Sequence, residues 1–220
     1  MRRREFITLL GSAAAIGPLA ARAQQLTRRV GLLMSRIEND PDGQARVRAF
    51  VDALQQLGWT DNRNVRLDIR WAAKSVDSDK YAAELVSLTP DVIFATGSMN
   101  LAAVQRMTHS VPIVFANVID PVGAGFVASL ARPGGNTTGF SAFEYSLSGK
   151  WLELIKELAP NVTRIGVLRD SSLAAGIGQY AVIQALAPQS LGAELTPIDA
   201  RDPSETSAPS LHSRVSGMAA

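Results

Sequence analysis

Short runs of consecutive apolar residues recur along this chain. The stretches between them return an apolar residue every three or four positions. Val30-Gly31-Leu32-Leu33-Met34, Asp91-Val92-Ile93-Phe94-Ala95 and Ile113-Val114-Phe115-Ala116 are almost free of charge. That is the pattern of strands buried on both faces. Val65 to Trp71 (VRLDIRW) alternates instead, as a strand with one polar face does. Between these strands, Val47, Phe50, Val51, Leu54 and Leu57 define a helix from Gly43 to Leu57, stopped by Gly58. Tyr81, Leu85 and Leu88 define a second helix, Asp79 to Leu88. A third is expected over Asn100 to Thr108 and a short fourth over Gly123 to Ala131, before the sharp loop Arg132 to Asn136.

The same alternation resumes later. Ser148 to Leu158 is amphipathic, Arg164 to Arg169 reads as a strand, a helix is expected near Tyr180 to Leu186, and a strand over Ala193 to Ile198. Thr137 to Tyr145 reads as the crossing between the two units. Apolar periodicity vanishes after Glu205, so residues 206–220 are expected to be a disordered tail. Helices between short apolar strands predict an α/β fold, a doubly wound parallel sheet covered on both faces. The expected divisions are an N-terminal α/β domain over 24–140 and a partial second α/β domain over 141–205.

The first 25 residues have another logic. Arg3-Arg4-Glu5-Phe6-Ile7 is followed by an Ala/Gly-rich apolar run and by Ala21-Arg22-Ala23. A basic start, a short apolar core and an A-x-A site make a twin-arginine export signal, cleaved after Ala23. The run is too short to span a bilayer well, and Pro18 would break a spanning helix. The mature chain is therefore expected in the periplasm, with no membrane insertion. The formal charge of +2 belongs to the leader. Without Arg2, Arg3, Arg4, Arg22 and Glu5 it becomes −1, which offers nothing to nucleic acid. With no cysteine and two distant histidines, no metal site and no disulfide is expected.

In doubly wound sheets, ligands bind at the carboxyl ends of strands. Here those ends carry Ser35, then Thr96, Gly97 and Ser98, then Asn117 to Asp120. Hydroxyls and the N–H groups of a helix start suit a carboxylate, and Asp120 suits an ammonium, so together they suit a zwitterion. The plainer alternative is that Thr96-Gly97-Ser98 caps a helix and Asp120 opens a turn before Pro121. Gly123-Ala124-Gly125-Phe126-Val127-Ala128 fits G-x-G-x-x-A, with Glu144 about 20 residues on. It follows the wrong strand for a dinucleotide site, and Asp120-Pro121 stands where the pyrophosphate would approach. No nucleophile elbow and no P-loop is present. Phe140, Phe143 and Tyr145 either line an apolar cleft between the two units or pack its hinge.

The stretches DPVGAGFVASLARPGGNTTGF and SGKWLELIKELAP, with VGLLMS, YAAELVSLTPDVIFATGS and the leader, resemble the ABC-transporter substrate-binding proteins of the tryptophan/tyrosine type. The resemblance covers roughly residues 1 to 205. It implies a class I periplasmic-binding fold that closes two α/β domains over an amino acid, aromatic by family expectation, and delivers it to a membrane ABC permease. It implies no cofactor and no catalysis. Carried over by position, Thr96, Gly97 and Ser98 hold the ligand carboxylate, Ser35 and Asp120 sit at the cleft, and Phe143 and Glu144 lie at the hinge. Family members continue further, so a C-terminal truncation is expected. An exported nucleotide-cofactor oxidoreductase and a ligand sensor of the same fold are the alternatives.

Overall fold

The computed structural model describes residues 27–190 and 192–207. The leader and all but the first two residues of the tail lie outside them. Strand β1 (Arg28–Met34) leads to α1 (Pro41–Gln56), where the Asp40 carboxylate accepts the Gly43 N–H at 2.7 Å and Pro41 occupies the first turn. Strand β2 (Val65–Trp71), α2 (Ser75–Ser87), β3 (Val92–Thr96), α3 (Ser98–Met107) and β4 (Ile113–Val118) follow in strict alternation. Helices α2 and α3 begin a few residues before their apolar periodicity does.

Every strand pair in this first sheet is parallel, and the order is β2-β1-β3-β4-β5. Even-numbered side chains of β1 (Val30, Leu32, Met34) face α1, Phe50 and Phe94. Leu33, on the opposite face, shares a core with Leu85 of α2, Leu101 and Val104 of α3, and Phe115 of β4. Both faces of β1 are thus buried, as its unbroken apolar run requires. At the amino ends of the strands the Arg29 guanidinium donates to Asp68 at 2.6 Å, and Asp91 takes the Arg29 N–H and the Arg28 guanidinium, each at 2.7 Å.

Two expectations are corrected. Thr137 to Tyr145 is not only a crossing, because Thr137–Ser141 forms β5, the edge strand of the first sheet. A Cβ at Gly139 would lie 2.1 Å from the Phe115 carbonyl oxygen, so only glycine lets β5 approach β4. Gly123 to Ala131 is a turn and irregular loop rather than a helix. Asp120 and Pro121 do start one turn, through Ala124 N–H to Asp120 O and Phe126 N–H to Pro121 O. Gly125, at φ +78°, then leaves helical geometry and ends it. The G-x-G-x-x-A match therefore opens no helix and has no dinucleotide geometry.

After a turn of 3-10 helix at Tyr145–Leu147 come α4 (Ser148–Leu158), β6 (Arg164–Arg169), α5 (Ala174–Ser190), β7 (Glu194–Asp199) and the short α6 (Pro203–Thr206). Strands β6 and β7 pair in parallel as a separate two-stranded sheet. Its core is Leu152 of α4 with Ile183 and Ala187 of α5, against Ile165, Val167 and Leu195. Thr206, assigned from sequence to the tail, closes α6.

Candidate functional site

Strand order reverses between β1 and β3, so their carboxyl ends open the crevice where such sheets bind ligands. Ser35 follows β1, and Thr96, Gly97 and Ser98 join β3 to α3. The Thr96 hydroxyl, almost fully buried, accepts the Ser35 backbone N–H at 2.8 Å and lies 3.2 Å from the Ser35 hydroxyl. Gly97 has φ +80°, and a Cβ there would sit 3.2 Å from the Ser35 Cβ. Ser98 Oγ accepts the Ile119 N–H at 3.3 Å and ties the start of α3 to the loop after β4. These four residues come together as the sequence implied. Thr96 holds Ser35 in place, and the Ser35 side chain beside it stays half-buried.

Beneath them lies a polar pair that the sequence reading missed. Asn100 is fully buried. Its Oδ1 accepts the Ser78 hydroxyl at 2.6 Å and its Nδ2 donates to the Leu33 carbonyl at 3.4 Å. Together these two bonds tie α2 to α3 and α3 to the end of β1. The signal was an asparagine at a core-facing position of α3, where an unpaired amide would be costly.

Asn117 is the extra residue of a β-bulge: Ala116 pairs with Phe140 and Val118 with Ser141. Its φ is +56°, and the bulge turns its side chain out to solvent. With Thr96 it borders a pocket of about 220 Å3 walled by Met34, Phe50 and Phe94 and rimmed by Arg46. Phe50 and Phe94 stack at 5.1 Å between ring centroids. Among the described residues Arg46 has no carboxylate partner. The sequence reading passed over Arg46 and Phe50 because they lie in the middle of a helix, away from any strand end.

Asp120, Phe143 and Glu144 gather elsewhere, at the junction of the two units. Asp120, at φ +38°, has both carboxylate oxygens occupied by backbone: Gly123 N–H at 2.7 Å and Tyr145 N–H at 3.1 Å. With Glu144 it borders a separate recess of about 380 Å3. Phe143 meets Trp151 edge-on at 5.6 Å. The Tyr145 hydroxyl donates to the Ala174 carbonyl at 3.2 Å, and burial, then the nearby Asp120 charge, pushes its pKa up. Phe140 stands apart, 74% exposed on β5, so the three aromatics form no single wall. Among the described residues no cluster of three metal-ligating side chains occurs, and no helix is long and apolar enough to cross a membrane.

An open parallel sheet with hydroxyls and backbone donors at its switch point, joined to a second parallel α/β unit, is a class I periplasmic-binding-protein-like fold. Residues 34–212 match the family model described as ABC transporter substrate binding protein, and the chain belongs to that family. Its members are substrate-binding proteins, not enzymes. The chain is 34% identical over 140 residues to the tyrosine-binding protein of Clostridioides difficile (strain R20291), which covers 63% of this chain and 40% of that protein. It superposes on a conserved domain protein from Vibrio cholerae with TM-score 0.69 and 30% identity, over 79% of this chain and 57% of the other. For an ABC domain from Streptococcus pneumonia in complex with L-Trp the values are 0.68 and 26%, with the same coverage. A leucine-binding protein from Thermotoga maritima shares the fold at 13% identity and TM-score 0.59. The chain thus spans 40% of the curated relative's length and 57% of the first two solved chains.

Proposed function

We propose that this chain is the solute-binding component of an ABC importer and takes an amino-acid-like ligand, an aromatic amino acid, between domains 24–140 and 141–205. The observation that carries this reading is the meeting of Ser35, Thr96, Gly97 and Ser98 at the β1/β3 switch point. The named ligands of two relatives, tyrosine and tryptophan, support the ligand class. Arg46, on the rim of the pocket that Thr96 and Asn117 border, receives the carboxylate, and the Phe50–Phe94 pair in the same pocket offers an aromatic surface beside it. Asp120, with both oxygens engaged by backbone, sets the junction and is a weaker candidate for the ammonium than its sequence position suggested. Phe143 and Glu144 belong to the hinge. The twin-arginine leader, cleaved after Ala23, delivers the folded chain to the periplasm, where an ABC permease is its partner.

Thermal unfolding with millimolar single amino acids tests this. A ligand present at about 100 times its dissociation constant adds roughly 2.7 kcal/mol, raising the midpoint by about 5–11 °C. Arg46→Ala should abolish the shift and leave the unliganded midpoint unchanged. A midpoint that neither tyrosine, tryptophan nor any other amino acid moves would overturn the proposal.

A further inference from the structure

Asn100 stands third in α3, fully buried, and its neighbours Leu101, Ala103 and Val104 are buried apolar residues. Its partner Ser78, on α2, is also buried. Ser78 has one hydroxyl proton and two oxygens within reach, the Lys74 carbonyl at 3.1 Å and Asn100 Oδ1 at 2.6 Å. The Lys74 carbonyl already accepts the backbone N–H groups of Asp77 and Ser78, at 3.1 and 3.0 Å. The hydroxyl proton therefore goes to the shorter contact, the carboxamide. The Asn100 Nδ2 donates in turn to the Leu33 carbonyl at 3.4 Å. Leu33 stands two residues before Ser35. The Thr96 hydroxyl that takes the Ser35 N–H lies 3.5 Å from that same Leu33 oxygen.

The core does not need this polar pair for its stability. Replacing both partners of a buried hydrogen bond by apolar groups of the same shape is nearly neutral or stabilising. Leucine branches at Cγ as asparagine does, and alanine is serine without its oxygen. What an apolar pair cannot supply is direction, which a fully bonded carboxamide imposes on the backbone it engages. The first turn of α3 requires such a constraint. Its cap residue is Gly97, and no side chain caps the turn. It is held from two sides instead. Ser98 Oγ takes the Ile119 N–H on one side, and Asn100 engages α2 and β1 on the other. We propose, on the binding reading given above, that Asn100 and Ser78 are positioning residues of the ligand site. They fix Ser35 and the first turn of α3 without touching the ligand, and they contribute to affinity rather than to stability.

Calorimetric titration of the full chain with tyrosine and with tryptophan, beside urea unfolding, tests this. Ser78→Ala/Asn100→Leu should keep a urea midpoint close to that of the parent chain yet bind about tenfold more weakly. Ser78→Ala alone keeps the bond from Nδ2 to Leu33 and strands Oδ1. It should lower the urea midpoint more than the double variant does, yet weaken binding only about threefold. Stability and affinity thus fall in opposite orders across the two variants, which residues serving the core alone do not produce. Hydrogen exchange without ligand is the third readout: the Ser35 and Ile119 amides should exchange faster in the double variant. A parent chain that binds while both variants match its affinity overturns this proposal and leaves the binding reading standing. Should the double variant fail to fold, parental affinity in Ser78→Ala overturns it alone. A parent chain that binds neither amino acid overturns the binding reading and this proposal with it.

Discussion

Replacing Thr96 by valine distinguishes a hydroxyl that builds the site from one that touches the ligand. In the structure the Thr96 hydroxyl accepts the Ser35 N–H at 2.8 Å and is almost inaccessible to solvent. Valine keeps nearly the same volume and suits a strand, so neither a cavity nor a propensity loss complicates the result. What is lost is the acceptor of a partly buried backbone donor, worth about 1–3 kcal/mol. Ser35 is half-buried and water reaches part of it, which places the expected cost near the lower limit, about 1 kcal/mol. For a chain of this size that lowers the midpoint by about 2–4 °C. Urea unfolding followed by far-UV circular dichroism should show a lower midpoint concentration with an unchanged slope. Tyrosine or tryptophan affinity should fall only as far as Ser35 is misplaced. An unaltered urea midpoint together with abolished binding would refute the scaffold role and make Thr96 a ligand contact.

Two further outcomes rest on other parts of the fold. Gly139→Ala puts a methyl group 2.1 Å from a β4 carbonyl oxygen, so β5 must separate from the sheet. A loss of about 1–3 kcal/mol or more is expected by thermal unfolding, and a wild-type midpoint would contradict the close approach. Asp68 is held below the usual carboxylate range by the Arg29 guanidinium, and Asp91 by the Arg29 N–H and then Arg28. Their folded pKa values lie below the unfolded ones. They therefore stabilise the fold above about pH 4, and that contribution is lost as pH falls through the folded values. Urea midpoints measured between neutral and acid pH should drop on the acid side. Asp68→Asn should lower the neutral midpoint and flatten the acid limb; an acid limb as steep as in the parent chain would rule out this linkage.

Much of the fold was legible because its signals are local. The fully apolar runs of β1, β3 and β4, and the alternating β2, declare strands, and the Ser148 to Leu158 helix was bounded to the residue. Thr137–Ser141 was missed as a strand since five residues containing glycine and two threonines carry no apolar run. It is a strand only because Gly139 lets it lie against Phe115. The Gly123 to Ala131 helix failed for the opposite reason: apolar spacing suggested it, but Gly125 takes a left-handed conformation. At the site, chain position beside a strand end was enough to find Ser35, Thr96, Gly97 and Ser98. It could not separate them from Asp120, which the same rule selects and which, with Glu144, borders a different recess.

What the amino-acid sequence determined alone is the alternation of strands and helices, because backbone preference and apolar periodicity act over a few residues. The reversal of strand order that creates the crevice was decided only by packing. So were the acceptor Thr96 gives to Ser35, the bulge that turns Asn117 outward, and the stacking of Phe50 on Phe94. Each joins residues dozens of positions apart. Nothing in the local pattern fixes such a pairing until the two faces of the sheet are buried and the buried polar groups must find one another.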